Sequence, residues 1–339
     1  MKAIGGILPL ILAFSLIGLV STSPVFGAAK EIQIKCGVPG ALSELYVQGM
    51  LAISDAVKAE GAKQGYDIKM QVFPNSSLAG GSQQAELELL QAGAVQMVNY
   101  SSANFAAFEP KISIISMPFL FADFDDAYKF YSSPFVEEIT AGLDKKGMKV
   151  LGMFTRGFRQ LTNSKRPVRT LNDVKGLKVR VMNSPLYVSI FDALDAKAVP
   201  MSFSEVYTGL QLGTIDGQEN SADTTKSAKV YEVQKYMTLW NYSTDSSVIA
   251  VSTKWWDSLD AQAKTIITIA VKNEEKRQYT LVKQKEDEAL DSLKGSLKID
   301  TLAPGEQAKL REATRKVWDK YENVFGKDLI DRVQKFTKK

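Results

Sequence analysis

The chain has 339 residues, of which 45% are hydrophobic and 24% are charged, enough apolar sequence for one large core or two medium ones. Its 42 Lys and Arg against 38 Asp and Glu leave a net charge of +4 with the signs interspersed, so nucleic-acid binding is not indicated. The chain has no histidine and one cysteine, Cys36, which excludes Ser-His-Asp and Cys-His catalytic sites and zinc sites built on these residues.

The N-terminus has the pattern of a Sec-type signal peptide. A short basic start precedes an almost unbroken apolar run over residues 4–20, and small residues at 27–29 offer cleavage sites. We therefore expect residues 1–28 to be a signal peptide that exports a periplasmic protein of roughly 310 residues, a size typical of two domains. The alternative is an uncleaved membrane anchor, because about seventeen apolar residues are near the short limit for a bilayer span.

The first half of the chain alternates between strand and helix patterns. We predict strands over 32–36, 68–73 and 95–98, and helices over 44–61 and 81–92. Cys36 falls on the alternating pattern of the first strand and is expected to be buried, and Gly93 is the glycine expected just past a helix end. Such strand-helix-strand units favour mostly parallel sheets, in which ligands bind at the carboxyl ends of the strands.

The second half continues in the same way and ends in a long helical pattern. We predict strands over 149–154, 177–181 and 214–216, and helices over 185–194 and 202–213, the last opened by a capping box at Ser202 and Glu205. Residues 255–294 contain neither Gly nor Pro, and a helix of about 35 residues there would be on the order of 50 Å long. We expect it to run across two lobes; a helix-turn-helix is the alternative.

Several short motifs occur in a characteristic order. They are FPNSSLAG at 73–80, MPFLF at 117–121, GFR at 157–159, KRPV at 165–168, DVKGLKVRV at 173–181, FSEVY at 203–207 and GTIDGQEN at 213–220. In this order the chain resembles the DctP-like family, the extracytoplasmic solute-binding subunits of TRAP transporters. The resemblance covers nearly the whole chain after the predicted signal peptide.

The resemblance implies an α/β, two-lobed periplasmic-binding-protein fold with mostly parallel sheets and a long helix shared by both lobes. It implies that the lobes close on a small organic acid, which is delivered to integral-membrane TRAP transporter subunits without a chemical step. Chain order in the family suggests lobe I at 29–156 plus 246–285 and lobe II at 157–245 plus 286–339. We expect a monomer rather than a dimer and predict no cofactor, no catalytic residue and no metal-binding residue.

Two arginines lie where strands end. Arg180 is the last charge before its strand breaks, and a guanidinium can bind a carboxylate through two parallel hydrogen bonds. The resemblance implies that Arg180 clamps the ligand carboxylate and that Arg159 supplies a second cationic contact, while exposed arginines at a sheet rim are the alternative. Without ligand, we expect Arg180 to face water. Thr155 and Arg156 stand where the family usually carries an acid or amide two residues before a glycine.

Three further candidates for ligand binding lie in the second half. Asn220 directly follows the predicted strand of the GTIDGQEN motif and can donate and accept hydrogen bonds, although a turn asparagine is the alternative. The resemblance implies that Phe203 packs against the ligand rather than in the core. Tyr242 stands where relatives often carry His, and together with Trp240 it lines the pocket or packs beneath it.

The first half offers Glu44, Tyr100 and Ser101. Glu44 follows the first strand and is a candidate for recognising an amine or hydroxyl, or a first-turn glutamate that complements the helix dipole. Tyr100 and Ser101 end a strand and are expected to point towards the cleft, whereas Glu86 on a nearby helix is expected to be solvated. The His-Pro pair of many relatives is absent after the first strand, so the sequence does not identify the acid.

Two other classes of function are alternatives to a binding protein for transport. A secreted glycosidase or lyase needs two facing carboxylates, and the one candidate pair at the cleft, Asp216 and Glu219, lies on opposite faces by a period of two. An exported sensor or adaptor is the other, although the sequence shows no second membrane segment or signalling domain. We therefore expect a protein that binds its ligand without chemical change.

Overall fold

The computed structural model describes residues 29–337, so the predicted signal peptide, residues 1–28, lies outside the described residues. Within residues 29–337 the strands are β1 (Lys30–Gly37), β2 (Tyr66–Phe73), β3 (Met97–Ser101), β4 (Met148–Phe158), β5 (Gln160–Asn163), β6 (Lys178–Val181), β7 (Lys197–Pro200), β8 (Gly217–Asn220), β9 (Tyr236–Leu239), β10 (Thr244–Ser252) and β11 (Lys298–Thr301). The α-helices are α1 (Leu45–Lys63), α2 (Gln83–Ala92), α3 (Ser102–Phe105), α4 (Phe124–Tyr131), α5 (Phe135–Asp144), α6 (Pro185–Asp192), α7 (Phe203–Gln211), α8 (Ala222–Ser227), α9 (Thr253–Ser258), α10 (Ala261–Leu293), α11 (Glu306–Phe325) and α12 (Lys327–Thr337). None of the helices between residues 29 and 337 combines the length and apolar content needed to cross a bilayer.

Two sheets form the bases of two lobes. The first sheet has the strand order β2-β1-β3-β10-β4 and the second β11-β9-β5-β8-β6-β7. Most pairings are parallel, but β10 and β5 each run antiparallel to both of their neighbours. The chain crosses to the second sheet at Arg159 and returns over residues 240–243, and the Arg159 N–H donates to the Ser243 carbonyl at 2.8 Å. The two crossing segments are therefore joined side by side between the lobes.

The long helix that the sequence predicts is present as α10. It begins after Asp260, whose carboxylate accepts a hydrogen bond from the Ala263 N–H at 2.9 Å, and at 33 residues it is about 50 Å long. A separate short helix, α9, precedes this cap, but α10 itself has no turn. It packs against α1 and β4 of the first lobe and against α8 of the second, so one element is shared by both lobes.

Two details around α7 follow from local hydrogen bonding. The predicted capping box is present, because Ser202 and Glu205 bond to each other's backbone N–H groups. The strand predicted over 214–216 is wrong by three residues, since β8 begins at Gly217. The preceding residues close the end of α7 instead, with the Thr214 N–H bonded to the Gly209 carbonyl at 3.0 Å.

Apolar side chains cover both faces of the first sheet. One cluster joins β1 and β2 to α1 and α10, and its buried members include Ile34, Cys36, Met50, Ile68 and Val271. The burial of Cys36 confirms the alternating pattern of the first strand. A second cluster lies on the opposite face and continues into the second lobe, where Phe191, Trp240 and Tyr242 pack against one another. The chain segment that returns to the first sheet is thus anchored in the core.

Gly157, just before the first crossing, has a backbone that other residues rarely adopt, with φ of 116°. A Cβ added there would lie 2.8 Å from the carboxyl carbon of Glu286 and 2.9 Å from the Ser221 Cβ. We predict that Gly157→Ala lowers stability by about 1–3 kcal/mol, through strain and this clash, and lowers the melting temperature by several degrees in calorimetry. The control is Gly176→Ala, since Gly176 also has a positive φ, 73°, but open space around it. Equal shifts for the two variants would contradict the packing part of this prediction.

Candidate functional site

A small cavity lies between the lobes, at the edge where the strands of both sheets end. Its volume is about 20 Å³, roughly what one water molecule requires. The residues that line it are Pro39, Tyr46, Gln83, Ser101, Asn104, Arg156, Arg180, Met182, Phe203, Asn220 and Asp245. A larger cavity of about 590 Å³, between residues 118–123 and the C-terminal helices, contains none of the predicted site residues. We therefore place the candidate site at the smaller cavity.

Arg180, the predicted carboxylate clamp, lies in the cavity wall but does not face water as expected, because it is only 1% exposed. Its Nε and Nη2 donate to the Met201 carbonyl at 2.9 and 2.7 Å, and the Phe203 ring centroid lies 5.6 Å from its Cζ. No carboxylate in the described part of the chain forms an ion pair with it. Burial, followed by the charge of Arg159, lowers the pKa of Arg180 to about 10. The guanidinium is therefore a cation at neutral pH that has no ion-pair partner within residues 29–337, although Glu219, Asp245 and Glu205 attract it from further away.

Arg159, predicted as a second cationic contact for the ligand, lies behind the cavity and not in its wall. It is fully buried, its Nε and Nη2 donate to both carboxylate oxygens of Glu219, and its Nη1 lies 2.8 Å from Oδ2 of Asp245. The Tyr242 hydroxyl donates to the same Glu219 carboxylate at 2.8 Å. Because all these groups are committed to one another, Arg159 holds two carboxylates in place at the crossing between the lobes.

Arg156 was not among the predicted site residues, yet it lines the cavity. Its Nη1 lies 3.3 Å from Asp245 Oδ2 and its Nη2 lies 3.6 Å from Glu44 Oε2, while its Cζ stacks 3.6 Å from the centroid of the Tyr46 ring. Burial acts to raise the pKa of Asp245, but Arg156 and Arg159 hold it below its usual value. Burial raises the pKa of Glu44 to about 7, because Arg156 offsets only part of that cost.

Three other predicted residues, Phe203, Asn220 and Ser101, lie in the cavity wall. The Asn220 Nδ2 donates to the Gln218 side-chain oxygen at 2.7 Å, which leaves its own Oδ1 free to accept. The Ser101 hydroxyl donates to Asp245 Oδ1 at 2.6 Å, so a residue of β3 helps to fix the carboxylate of β10.

Glu44, Tyr100 and Tyr242 are buried but do not line the cavity. Glu44 accepts hydrogen bonds from the Ala41 N–H at 3.0 Å and from the Thr224 hydroxyl at 3.3 Å. The expectation that Tyr100 points towards the cleft is wrong, because neighbours on a strand face opposite sides and Ser101 takes the cavity side. The Tyr100 hydroxyl is instead 2.8 Å from that of Ser76. Tyr242 packs beneath the site, where it holds Glu219.

Glu86, which was expected to be solvated, is fully buried. Its carboxyl group occupies the space beside Gly37, where a Cβ would lie 1.5 Å from Oε1. Burial raises its pKa to about 7. The spacing of Gln83, Glu86 and Leu90 on α2 is the helical period that could have placed this side chain on the inner face.

Three residues of the wall, Asn104, Asp245 and Arg156, were not predicted from the sequence, although their positions carried signals. Asn104 lies just beyond β3, and Asp245 lies at the start of β10, which is antiparallel and so begins at the edge where β3 ends. Arg156 is a single charge in the otherwise apolar end of β4. A search for polar residues at that sheet edge would have found all three.

The acid pair considered for two-carboxylate chemistry is not arranged for it. Asp216 accepts a hydrogen bond from the Lys178 N–H at 2.9 Å and pairs with Lys165, whereas Glu219 is bonded to Arg159. Within residues 29–337 no group of three or more His, Cys, Asp or Glu side chains forms a metal-binding cluster. The cavity wall holds two guanidinium groups, those of Arg156 and Arg180, and one carboxylate, that of Asp245, which is paired with Arg156 and Arg159. Arg180 is therefore the charged group of the wall that has no ion-pair partner and could hold an anion.

Comparison with known proteins gives a consistent result. Residues 47–324 match the family model DctP, described as bacterial extracellular solute-binding protein, family 7. The C4-dicarboxylate-binding periplasmic protein DctP of Vibrio cholerae is 35% identical over 268 residues, which cover 77% of this chain and 78% of that protein.

Solved structures of similar proteins share the architecture. A sugar acid binding protein from Advenella mimigardefordensis, in complex with galactonate, superimposes with a TM-score of 0.87 at 29% identity, over 91% of this chain and 98% of that one. A TRAP periplasmic solute-binding protein from Shewanella oneidensis, with bound succinate, gives a TM-score of 0.85 at 30% identity, over 91% of this chain and all of that one.

The burial of Glu86 predicts a pH dependence of stability. Its pKa is about 7 in the folded protein, against an ordinary value of 4.5, so between these values the folded state binds more protons than the unfolded state. The contribution of Glu86 to the free energy of unfolding is therefore largest below about pH 4.5 and decreases as the pH rises towards 7. We expect Glu86→Gln to remove this loss. The difference in melting temperature, variant minus wild type, should therefore increase by several degrees between pH 5 and pH 8. Glu88→Gln, on the exposed side of α2, is the control, and parallel curves for wild type and Glu86→Gln would contradict the prediction.

Proposed function

The chain belongs to the DctP family, family 7 of the bacterial extracellular solute-binding proteins, and on this premise we propose that it captures a small organic acid between its lobes. The acid is then delivered to the integral-membrane subunits of a TRAP transporter. The proposed location is the periplasm, with residues 1–28 as the signal peptide. No chemical step is proposed, because the cavity presents groups that bind an anion.

The observation that carries this proposal is the buried guanidinium of Arg180. Arg156 and Arg159 have carboxylate neighbours, whereas Arg180 donates to a carbonyl oxygen. A buried charge without a counter-charge is expensive. A ligand carboxylate against Arg180 would supply the missing charge, and its two oxygens match the fork of the guanidinium. Phe203 beside it would exclude water, and the Oδ1 of Asn220 would accept from a ligand hydroxyl.

Contacts across the cleft support a role for lobe closure. On one side the Phe203 N–H donates to the Gln83 side chain at 3.3 Å, and the Ser204 hydroxyl donates to the Gly81 carbonyl at 3.0 Å. On the other side the Leu45 N–H donates to the Asp223 carboxylate at 3.2 Å. A cavity of about 20 Å³ is too small for an organic acid, so the lobes must separate for a ligand to enter.

The proposed lobes are residues 29–156 plus 246–285 and residues 157–245 plus 286–339. The strands of the first sheet, β1 to β4 and β10, come almost entirely from the first set, and those of the second sheet come from the second. The boundary at 156–157 falls beside Gly157, and the boundary at 285–286 falls within α10, which would then act as the shared strut. A monomer suffices for this mechanism.

Substitution of Arg180 tests the proposed function. We predict that Arg180→Ala lowers affinity for the acid by roughly 30-fold to several thousand-fold, because removing one partner of a buried charge pair costs about 2–5 kcal/mol. Arg180→Lys should restore part of the affinity, since a point charge attracts the carboxylate but lacks the second parallel hydrogen bond. Titration calorimetry with the acid selected from a panel by thermal shift is the measurement. Arg169→Ala, an exposed arginine paired with Asp300, is the control, and wild-type affinity in Arg180→Ala would refute the assignment.

Lobe closure gives a second test in solution. We predict that the radius of gyration from small-angle scattering decreases when the mature protein is saturated with the same acid, because the cleft must open for entry and close for binding. The Arg180→Ala variant at the same acid concentration should show no decrease. A wild-type radius that does not change between ligand-free and saturated protein would count against closure.

A further inference from the structure

We propose that the first-lobe wall of the cavity, formed by Tyr46, Asn104 and Arg156, recognises hydroxyl groups, so that the chain selects hydroxylated monocarboxylates over unsubstituted monocarboxylates and over dicarboxylates. This inference rests on the proposed function, in which Arg180 takes the ligand carboxylate. It concerns the other end of the same ligand.

Each of these three residues lines the cavity and contains a buried polar atom without a hydrogen-bond partner. The atoms are Oδ1 of Asn104, Nε of Arg156 and the Tyr46 hydroxyl oxygen, the last of which lies beside the Glu44 carboxylate. Tyr46 and Asn104 are 3% and 6% exposed, and the side chain of Arg156 is 7% exposed. An unsatisfied buried polar atom costs about 1–3 kcal/mol, so three in one wall indicate that a ligand supplies their partners.

The second-lobe wall differs in this respect. Arg180 donates to the Met201 carbonyl, and the Asn220 side chain donates to Gln218. The unsatisfied atoms among the lining residues are therefore concentrated in the first lobe, opposite the proposed carboxylate site.

The chemistry of the three atoms defines the group that satisfies them. The Arg156 Nε can only donate, the Asn104 Oδ1 can only accept, and the Tyr46 hydroxyl can do either. A carboxylate has acceptors alone at neutral pH, so it leaves the Asn104 oxygen without a donor. A hydroxyl group both donates and accepts, and two neighbouring hydroxyl groups can satisfy all three atoms.

Charge in the wall also disfavours a second carboxylate. Arg156 already lies 3.3 Å from the Asp245 carboxylate and 3.6 Å from that of Glu44. A ligand carboxylate beside Arg156 would add a third anion to this buried group, and like charges at such distances repel strongly in a medium of low dielectric constant. A hydroxyl group adds hydrogen bonds without adding charge.

Tyr46 fixes the orientation of Arg156. The Cζ of the guanidinium lies 3.6 Å from the ring centroid, a stacking distance, so the face of the group is covered. Hydrogen bonding is left to the guanidinium edge, which bears Nε. The ring of Tyr46 therefore positions Arg156, while its hydroxyl lies between the Glu44 carboxylate and the cavity and can accept from a ligand hydroxyl, and the two roles can be separated by Tyr46→Phe.

Two matched sets of acids test the inference by titration calorimetry. The four-carbon set is D-erythronate, butyrate and succinate, and the six-carbon set is D-galactonate, hexanoate and adipate, so chain length is held constant within each. In at least one of the two sets, we expect the hydroxylated acid to bind at least 10-fold more tightly than the unsubstituted monocarboxylate and the dicarboxylate of the same chain length. A dicarboxylate that binds more tightly than the hydroxylated acid at both lengths would overturn the inference.

Two variants assign the preference to the wall. Tyr46→Phe keeps the ring on Arg156, and Asn104→Leu keeps the side-chain volume, so each removes one hydrogen-bonding group. We expect each to weaken binding of the hydroxylated acid by roughly 2- to 12-fold, the value of one hydrogen bond, with no loss for the unsubstituted monocarboxylate. The exposed residue Asn172 provides the control Asn172→Leu. Equal losses for all acids, or no loss for the hydroxylated acid, would overturn the inference.

Arg180→Ala separates this inference from the proposed function. It should weaken binding of all the acids, whichever of them the wild type prefers. If all acids lose affinity in Arg180→Ala but the wild type does not prefer hydroxyl groups, the inference fails and the proposed function stands. If no acid in either set binds the wild type, the inference fails, and the proposed function is decided separately by the thermal-shift panel of organic acids.

Discussion

The organisation of the site depends on the buried contact between Arg159 and the carboxylates of Glu219 and Asp245. Arg159 is the residue at which the chain leaves the first sheet, Asp245 lies in the strand by which it returns, and Glu219 lies in β8 of the second sheet. One guanidinium therefore ties both lobes to their crossing point. Such a contact is costly to bury, but loss of either partner would leave an unpaired charge, so the arrangement favours a single geometry.

This contact also determines the electrostatics of the cavity. Because Arg159 engages Glu219 and shares Asp245 with Arg156, no carboxylate is left for Arg180, whose pKa is lowered by burial and by the charge of Arg159. The carboxylates of Glu219, Asp245 and Glu44 pair with Arg159 and Arg156, whereas Arg180 has no ion-pair partner within residues 29–337. A negative charge beside Arg180 would supply that partner. Because burial raises the pKa of Glu44 to about 7, this acid can take up a proton near neutral pH.

The sequence predicted most of the fold because its signals were local. The absence of Gly and Pro over 255–294 predicted α10, and the spacing of Ser202 and Glu205 predicted the start of α7. Arg180, Asn220 and Ser101 lie in one cavity wall, as expected from the rule that ligands bind where strands end, and Phe203, predicted from the resemblance, lies in the same wall. These features depend on a few consecutive residues, or on the position of a residue relative to its own strand.

The other site residues could not be predicted locally, because their roles depend on contacts distant in sequence. Arg159 was predicted as a ligand contact, and its pairing with Glu219 and Asp245 could not be foreseen because these carboxylates lie 60 and 86 positions further along the chain. The Glu86 carboxyl group fits into its lobe only because Gly37, on another strand, has no side chain. The first-lobe wall of the cavity could not be found without the fold, since it joins residues from α1, α3 and β4. The position of Arg180 at the cavity could therefore be predicted from a motif near its own strand, whereas the convergence of Tyr46, Asn104 and Arg156 required the packed first lobe.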